Sequence, residues 1–164
     1  MITAVDFIAL NTFTELVPAP DMVAISIGDP AQMPPENLSA FARAVRMEFL
    51  DLEPAEVEHY GMPEEVLFSH EQALQLSDFV QALHAERRPY RMVVHCRMGS
   101  SRSAAVALVV HQLTGCEFPR RPDAHFANLH VVELAARVTS TVIDVPRKLE
   151  GDEPHLYLPL QLQI

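Results

Sequence analysis

Residues 95 to 103 read His95-Cys96-Arg97-Met98-Gly99-Ser100-Ser101-Arg102-Ser103, and they hold the residue types best suited to chemistry on an oxyanion. They lie where a β-prone run ends and a nearly all-apolar helical run begins. A helix starting there turns several main-chain amides toward one spot, and the positive end of the helix dipole adds to their pull. Gly99 removes the Cβ that would keep the backbone away from an anion. Arg102, six residues after the cysteine, comes back over the loop and can grip two oxygens of a phosphate with its planar fork. The same amides and guanidinium favour the thiolate form of Cys96. A thiolate facing a phosphate-shaped cradle is a nucleophile aimed at phosphorus. His, Cys, Gly, Arg and Ser at these fixed offsets arise by chance on the order of once in 100,000 chains of this length. Coincidence is therefore set aside.

The other reactive side chains read as structure. Cys116 falls past the far end of the following helix, ~20 Å from the loop at helical rise. A disulfide needs Cα atoms within ~7 Å, so Cys116 is expected in the core rather than as a partner for Cys96. Among the eight histidines there is no His-Glu-x-x-His, and His125 and His130 stand five apart, off a shared helical face. No metal and no cofactor are implied. The basic pairs Arg87-Arg88 and Arg120-Arg121 read as solvated surface.

Elements that position the motif are given by the hydrophobic period. Ile2 to Ile8, Met22 to Ile27, Val45 to Leu50 and Arg91 to His95 are short β-prone runs. Ser69 to Glu86 carries Leu76, Phe79, Val80 and Leu83 on one helical face, and Ser69 with Gln72 makes a capping box at its start. Ser101 to Leu113 is apolar almost all round, the mark of a buried helix stopped at Gly115. Asp123 to Ser140 is expected as a further helix. Proline clusters at 18–35, 54–63 and 119–122 read as connecting loops. Strands separated by helices imply parallel pairing, hence an α/β three-layer sandwich with a mainly parallel central sheet of four to five strands. Residues 1–145 are expected to form one domain, with 146–164 a tail or edge strand of the same unit.

His-Cys-x-x-Gly-x-x-Arg-Ser resembles the signature of the cysteine-dependent protein tyrosine phosphatase superfamily. The chain has no tryptophan, which removes the Trp-Pro-Asp loop of the larger tyrosine phosphatases. Low-molecular-weight phosphatases carry their cysteine near the N-terminus, and rhodaneses lack the Gly-x-x-Arg-Ser arrangement. The chain thus resembles the compact dual-specificity-type phosphatases and the small bacterial tyrosine-phosphatase-like proteins, in pattern over roughly residues 22 to 140 and specifically at 95 to 103. The resemblance implies that Cys96 forms a phosphocysteine and that Arg102 clamps the transition state. It implies that the amides of Arg97, Met98, Gly99, Ser100, Ser101 and Arg102 hold the phosphate oxygens. Ser103 would donate a hydrogen bond to the thiolate, and His95 would be a structural residue bonding to the loop backbone. The family places its general acid, an aspartate, at the end of the strand before the long helix; Phe49-Leu50-Asp51 fits, so Asp51 is the candidate. Glu53, Glu56 and Glu58 stand nearby as alternative acids, while Asp78 lies mid-helix on a solvated face.

Composition bounds the partners. Hydrophobic residues make up 49% and charged residues 21% of 164 residues, as in an ordinary folded domain. The formal charge of −10 disfavours nucleic acid and anionic membrane. No apolar run approaches the ~20 residues of a membrane span. Met1 to Leu10 lacks the basic start of a secretory signal, and two cysteines make no disulfide framework. A cytoplasmic location is expected, with a phosphorylated protein or peptide as partner. The expected function is a cysteine-based phosphatase acting on phosphotyrosine, alone or together with phosphoserine and phosphothreonine. A catalytically weak pseudophosphatase that only binds phosphoproteins, and a thiol redox or sulfur-transfer protein, are the alternatives.

Overall fold

The structure, a computed structural model, describes residues 1–147. Strands β1 (Ile2–Ala9), β2 (Met22–Gly28), β3 (Arg43–Glu48) and β4 (Tyr90–Cys96) form one sheet in the order β1-β4-β2-β3, every pairing parallel. Helices α1 (Leu10–Glu15), α2 (Pro54–Tyr60), α3 (His70–Ala85), α4 (Arg102–Thr114) and α5 (Leu129–Thr139) supply the connections. The architecture is the expected α/β three-layer sandwich.

The pleat sorts side chains by parity. Val23, Ile25 and Ile27 of β2 and Met92, Val94 and Cys96 of β4 face a large apolar cluster beneath α3, α4 and α5. Met22, Ala24 and Val93 face a smaller cluster built on Phe13 of α1 and Phe41. Successive residues alternate between the two because the strand period is two. Each large aliphatic or aromatic side chain so buried contributes about 1.5–3 kcal/mol of hydrophobic stabilisation. β4 is therefore held on both faces, and so is the chemistry at its end.

The helices start where their caps dictate. At α3, Ser69 Oγ accepts from Gln72 N while the Gln72 side chain accepts from Ser69 N, the capping box expected from sequence. Residues 102 to 110 of α4 are all buried, so the helix runs through the core rather than over it.

Four expectations need correction. The stretch 123–140 is not one helix: a 3-10 helix (Arg121–Phe126) ends at Ala127, and α5 starts afresh after Asn128, whose side chain accepts from Val131 N. An asparagine that caps a helix cannot sit inside one. The proline cluster at 54–63 is not only loop, because Pro54 occupies the first position of α2, where its missing amide costs nothing. The third strand runs from Arg43 to Glu48, two residues earlier than expected: Phe49 N still bonds Gly28 O, but Leu50 N turns to Val66 O. Arg120 is buried rather than solvated, because Asp6 on β1 and the carbonyl of Phe7 take its Nη1 protons. Residues 145–147 form no regular element, and the rest of the expected tail or edge strand lies outside the described residues. Among the described residues no helix is long and apolar enough to cross a membrane.

Candidate active site

A parallel sheet points the carboxyl ends of its strands to one side, and ligands of such sheets bind there. Here that edge gathers Ala9, Gly28-Asp29, Phe49 to Asp51 and Cys96, each just at or past a strand end.

The loop from Cys96 to Ser101 is tightly seated. Gly99 has φ +70, and a Cβ there would run into the main chain at Ala9, so no other residue fits without moving β1. Leu10 N donates to Arg97 O across the same contact. Gly99 N points back at Cys96 Sγ at 3.3 Å, and Ser103 Oγ lies 3.1 Å from the same sulfur. The Gly99 amide and the Ser103 hydroxyl thus converge on the one sulfur. The amides of Met98, Ser100 and Ser101 meet no acceptor among the described residues. Ser101 stands at the N-cap of α4 without capping it; its hydroxyl is turned to Asp51 instead. The first turn of a 13-residue helix is left with its donors uncovered.

Arg102 is the anchor. It is only 4% exposed, and its Nη1 donates to Asp29 Oδ1 (2.8 Å) and to Phe49 O (2.6 Å). Its Nε is buried and finds no acceptor among the described residues. A buried guanidinium donor without a partner is costly unless something anionic comes to it. With Nη1 tied to the ends of β2 and β3, the opposite side of the fork is the one left for two oxygens of an anion.

Asp29 is a member of the site that the motif does not point to, and the surrounding segment holds it firmly. Gln32 Oε1 accepts from Asp29 N, Glu48 Oε2 accepts from Ala31 N, and Arg46 Nη2 donates to Gln32 O. Gly28 makes room for the Arg46 guanidinium, which a Cβ would strike. The signal in the sequence is an acidic residue two positions after a β-prone run, at the end where parallel sheets bind ligands.

His95 faces the other way from Cys96, as alternation requires. Its ring lies against Phe13 at 4.1 Å between centroids, and Nε2 bonds Ser26 Oγ at 2.7 Å. Arg46, Ser26 and His95 sit in register across β3, β2 and β4, and Arg46 Nη1 donates to the same Ser26 oxygen. The side-chain bond of His95 thus runs to β2 rather than to a loop amide. Burial, then the nearby Arg46 charge, push its pKa down to about 4, with the Cys96 main chain acting weakly the other way. His95 is a neutral strut beside Cys96.

Asp51 is brought to the loop. Its Oδ1 accepts from Ser101 Oγ at 2.7 Å and from Asn128 Nδ2 at 3.0 Å. Two of the three alternative carboxylates are otherwise occupied. Glu53 Oε1 accepts from Leu129 N and His130 N, and Glu56 Oε2 from Glu53 N. Glu58 lies exposed on α2. At the rim, Met98 is 74% exposed and Arg97 reaches within 4.0 Å of Asp29. Cys116 is buried away from the loop, and burial pushes its thiol pKa up.

Comparison of the chain with family models, curated proteins and solved structures finds no match.

Proposed function

We propose that this protein is a cysteine-based phosphatase that hydrolyses phosphotyrosine, and also phosphoserine or phosphothreonine, through a phosphocysteine intermediate. The observation that supports it most is the buried Arg102, pinned at Nη1 by Asp29 and Phe49 O, with an Nε that has no acceptor among the described residues, beside a loop of free amides. An anion of tetrahedral shape satisfies both at once.

In the first step the Cys96 thiolate attacks phosphorus in line; the S–P bond forms as the P–O bond to the leaving group breaks. Asp51 gives its proton to the departing oxygen. Loop amides and Arg102 hold the three equatorial oxygens as charge spreads over them. In the second step Asp51, now a carboxylate, takes a proton from water as that water's oxygen attacks phosphorus. The S–P bond breaks, inorganic phosphate leaves, and Ser103 Oγ, 3.1 Å from the sulfur, steadies the returning thiolate. The cycle needs a reduced Cys96, and both cysteines are free; a reducing compartment, the cytoplasm, fits it best.

The test is p-nitrophenol release from p-nitrophenyl phosphate in EDTA at pH 5 to 7, and then phosphate release from phosphotyrosine, phosphoserine and phosphothreonine peptides. Turnover by the wild type that Cys96→Ser abolishes is the expected result. No turnover with tight tungstate binding would replace the enzyme with a phosphoprotein-binding module. A reactive Cys96 with neither property would point to thiol chemistry instead.

A further inference from the structure

The Asp51 carboxyl is gripped by one oxygen. Ser101 and Asn128 both donate to Oδ1, while Oδ2 receives no donor among the described residues. Asn128 is the buried member, 6% exposed at the N-cap of α5. Its Oδ1 accepts from Val131 N at 3.0 Å, and that fixes which way the amide points. The NH2 group therefore has to face Asp51, with Leu52 O as a longer second acceptor at 3.4 Å. Its main-chain N donates to Ser101 O at 3.3 Å, so the same residue also touches the phosphate loop. One residue starts a helix and orients a carboxyl with its side chain, and braces the cradle with its main chain.

Resting on the phosphatase reading above, we infer that Asn128 is a positioning residue for the general acid, and that it decides which oxygen of Asp51 carries the catalytic proton. Two N–H and O–H donors aimed at Oδ1 leave no room for a proton there, so the acid form holds its proton on Oδ2. The same oxygen then takes the proton from water in the second step. Without the Asn128 donor the carboxyl turns about its Cβ–Cγ bond, and the proton spends less time toward the leaving group.

The experiment compares kcat/KM for phenyl phosphate and p-nitrophenyl phosphate, since this ratio reports the step in which the leaving group departs. Phenolate needs a proton to leave; p-nitrophenolate scarcely does. Asn128→Ser keeps an N-cap and removes the donor. General acid catalysis is worth about 10²–10⁴-fold, and Ser101 still holds Asp51, so the expected loss is about tenfold on phenyl phosphate. On p-nitrophenyl phosphate it is less than about twofold, since little of that rate depends on the acid. Asn128→Asp keeps size and cap, puts an acceptor where the donor was, and is expected to show the same selectivity more strongly; it serves if Asn128→Ser does not fold. In an Asp51→Asn background, Asn128→Ser is expected to cost nothing further, because the group it orients is gone. Equal losses on both substrates, or a full additional loss in the Asp51→Asn background, overturn the inference and leave the phosphatase standing. A wild type inactive on both substrates overturns the phosphatase and this inference together.

Discussion

Acid should unfold this protein through His95 in a way that one substitution can isolate. The buried, 1% exposed imidazole sits between Phe13 and Ser26 with Arg46 and Arg102 near, and its pKa falls from 6.5 to about 4. In the unfolded chain His95 protonates near 6.5, so between pH 6.5 and about 4 the unfolded state binds a proton that the folded state refuses. Stability is therefore full above 6.5, falls as pH drops through that window, and levels off below about 4. At about 1.4 kcal/mol per pH unit the loss comes to about 3 kcal/mol. The perturbation is His95→Gln, whose amide reaches as far as Nε2 and does not titrate in this range. Urea unfolding of both proteins at about pH 7, 6, 5 and 4.5 gives two curves. Asp6, whose pKa burial raises against the pull of Arg120, tilts both in the opposite sense and cancels in the difference. Wild type should lose about 2 to 3 kcal/mol relative to the variant between about pH 7 and 4.5. Parallel curves would refute the reasoning, whatever the variant's absolute stability.

The phosphate loop yields three further outcomes. Gly99→Ala should lower the melting temperature by several degrees and abolish p-nitrophenyl phosphate turnover, because both φ +70 and the main chain at Ala9 reject a Cβ; an unchanged melt would mean the loop is not seated as described. Asp29→Asn should weaken tungstate binding about tenfold, the scale of one charge-assisted bond lost from Arg102; calorimetry showing unchanged affinity would remove Asp29 from the clamp. Both thiols are buried, so their neighbours decide. Iodoacetamide at about pH 7 should place a single adduct on Cys96, which lies against the Gly99 amide and the Ser103 hydroxyl and is blocked by tungstate, while Cys116, whose thiol pKa is raised, stays unmodified. Mass spectrometry finding Cys116 labelled first would contradict that difference in surroundings.

Much of the fold is legible in the sequence because short-range signals and architecture agree. The parity of Val93 and Val94, the capping box at Ser69, and the glycine and arginine spacing after Cys96 are local patterns with one physical outcome each. Asp51 can be flagged because it stands just past a strand. Asp29 and Asn128 cannot be assigned from spacing, since their roles depend on which strand ends and helix starts meet around residue 101, and they come from positions 73 and 27 residues away from Arg102 and Ser101. The break before α5 escapes the sequence for a related reason: Asn128 looks like a neutral helix residue until its amide is seen capping one helix and holding another segment's carboxylate.

The hydrogen bonds that join the Asp51 segment to α5 have a thermal consequence. Asp51 and Glu53 are tied to Asn128, Leu129 and His130, and Asp51 is tied to Ser101, all by side-chain contacts near the surface. The strands beneath are sealed on both faces. Fraying of the first turn of α5 would release the contacts of Asn128, Leu129 and His130 as one unit at far less free energy than opening the sheet. On warming, the amides of Leu129, His130 and Val131 should begin exchanging with solvent together, well before those of β4. Over that interval the molecule keeps its fold, its thiol and its arginine, while the Asp51 carboxyl is left to Ser101 alone.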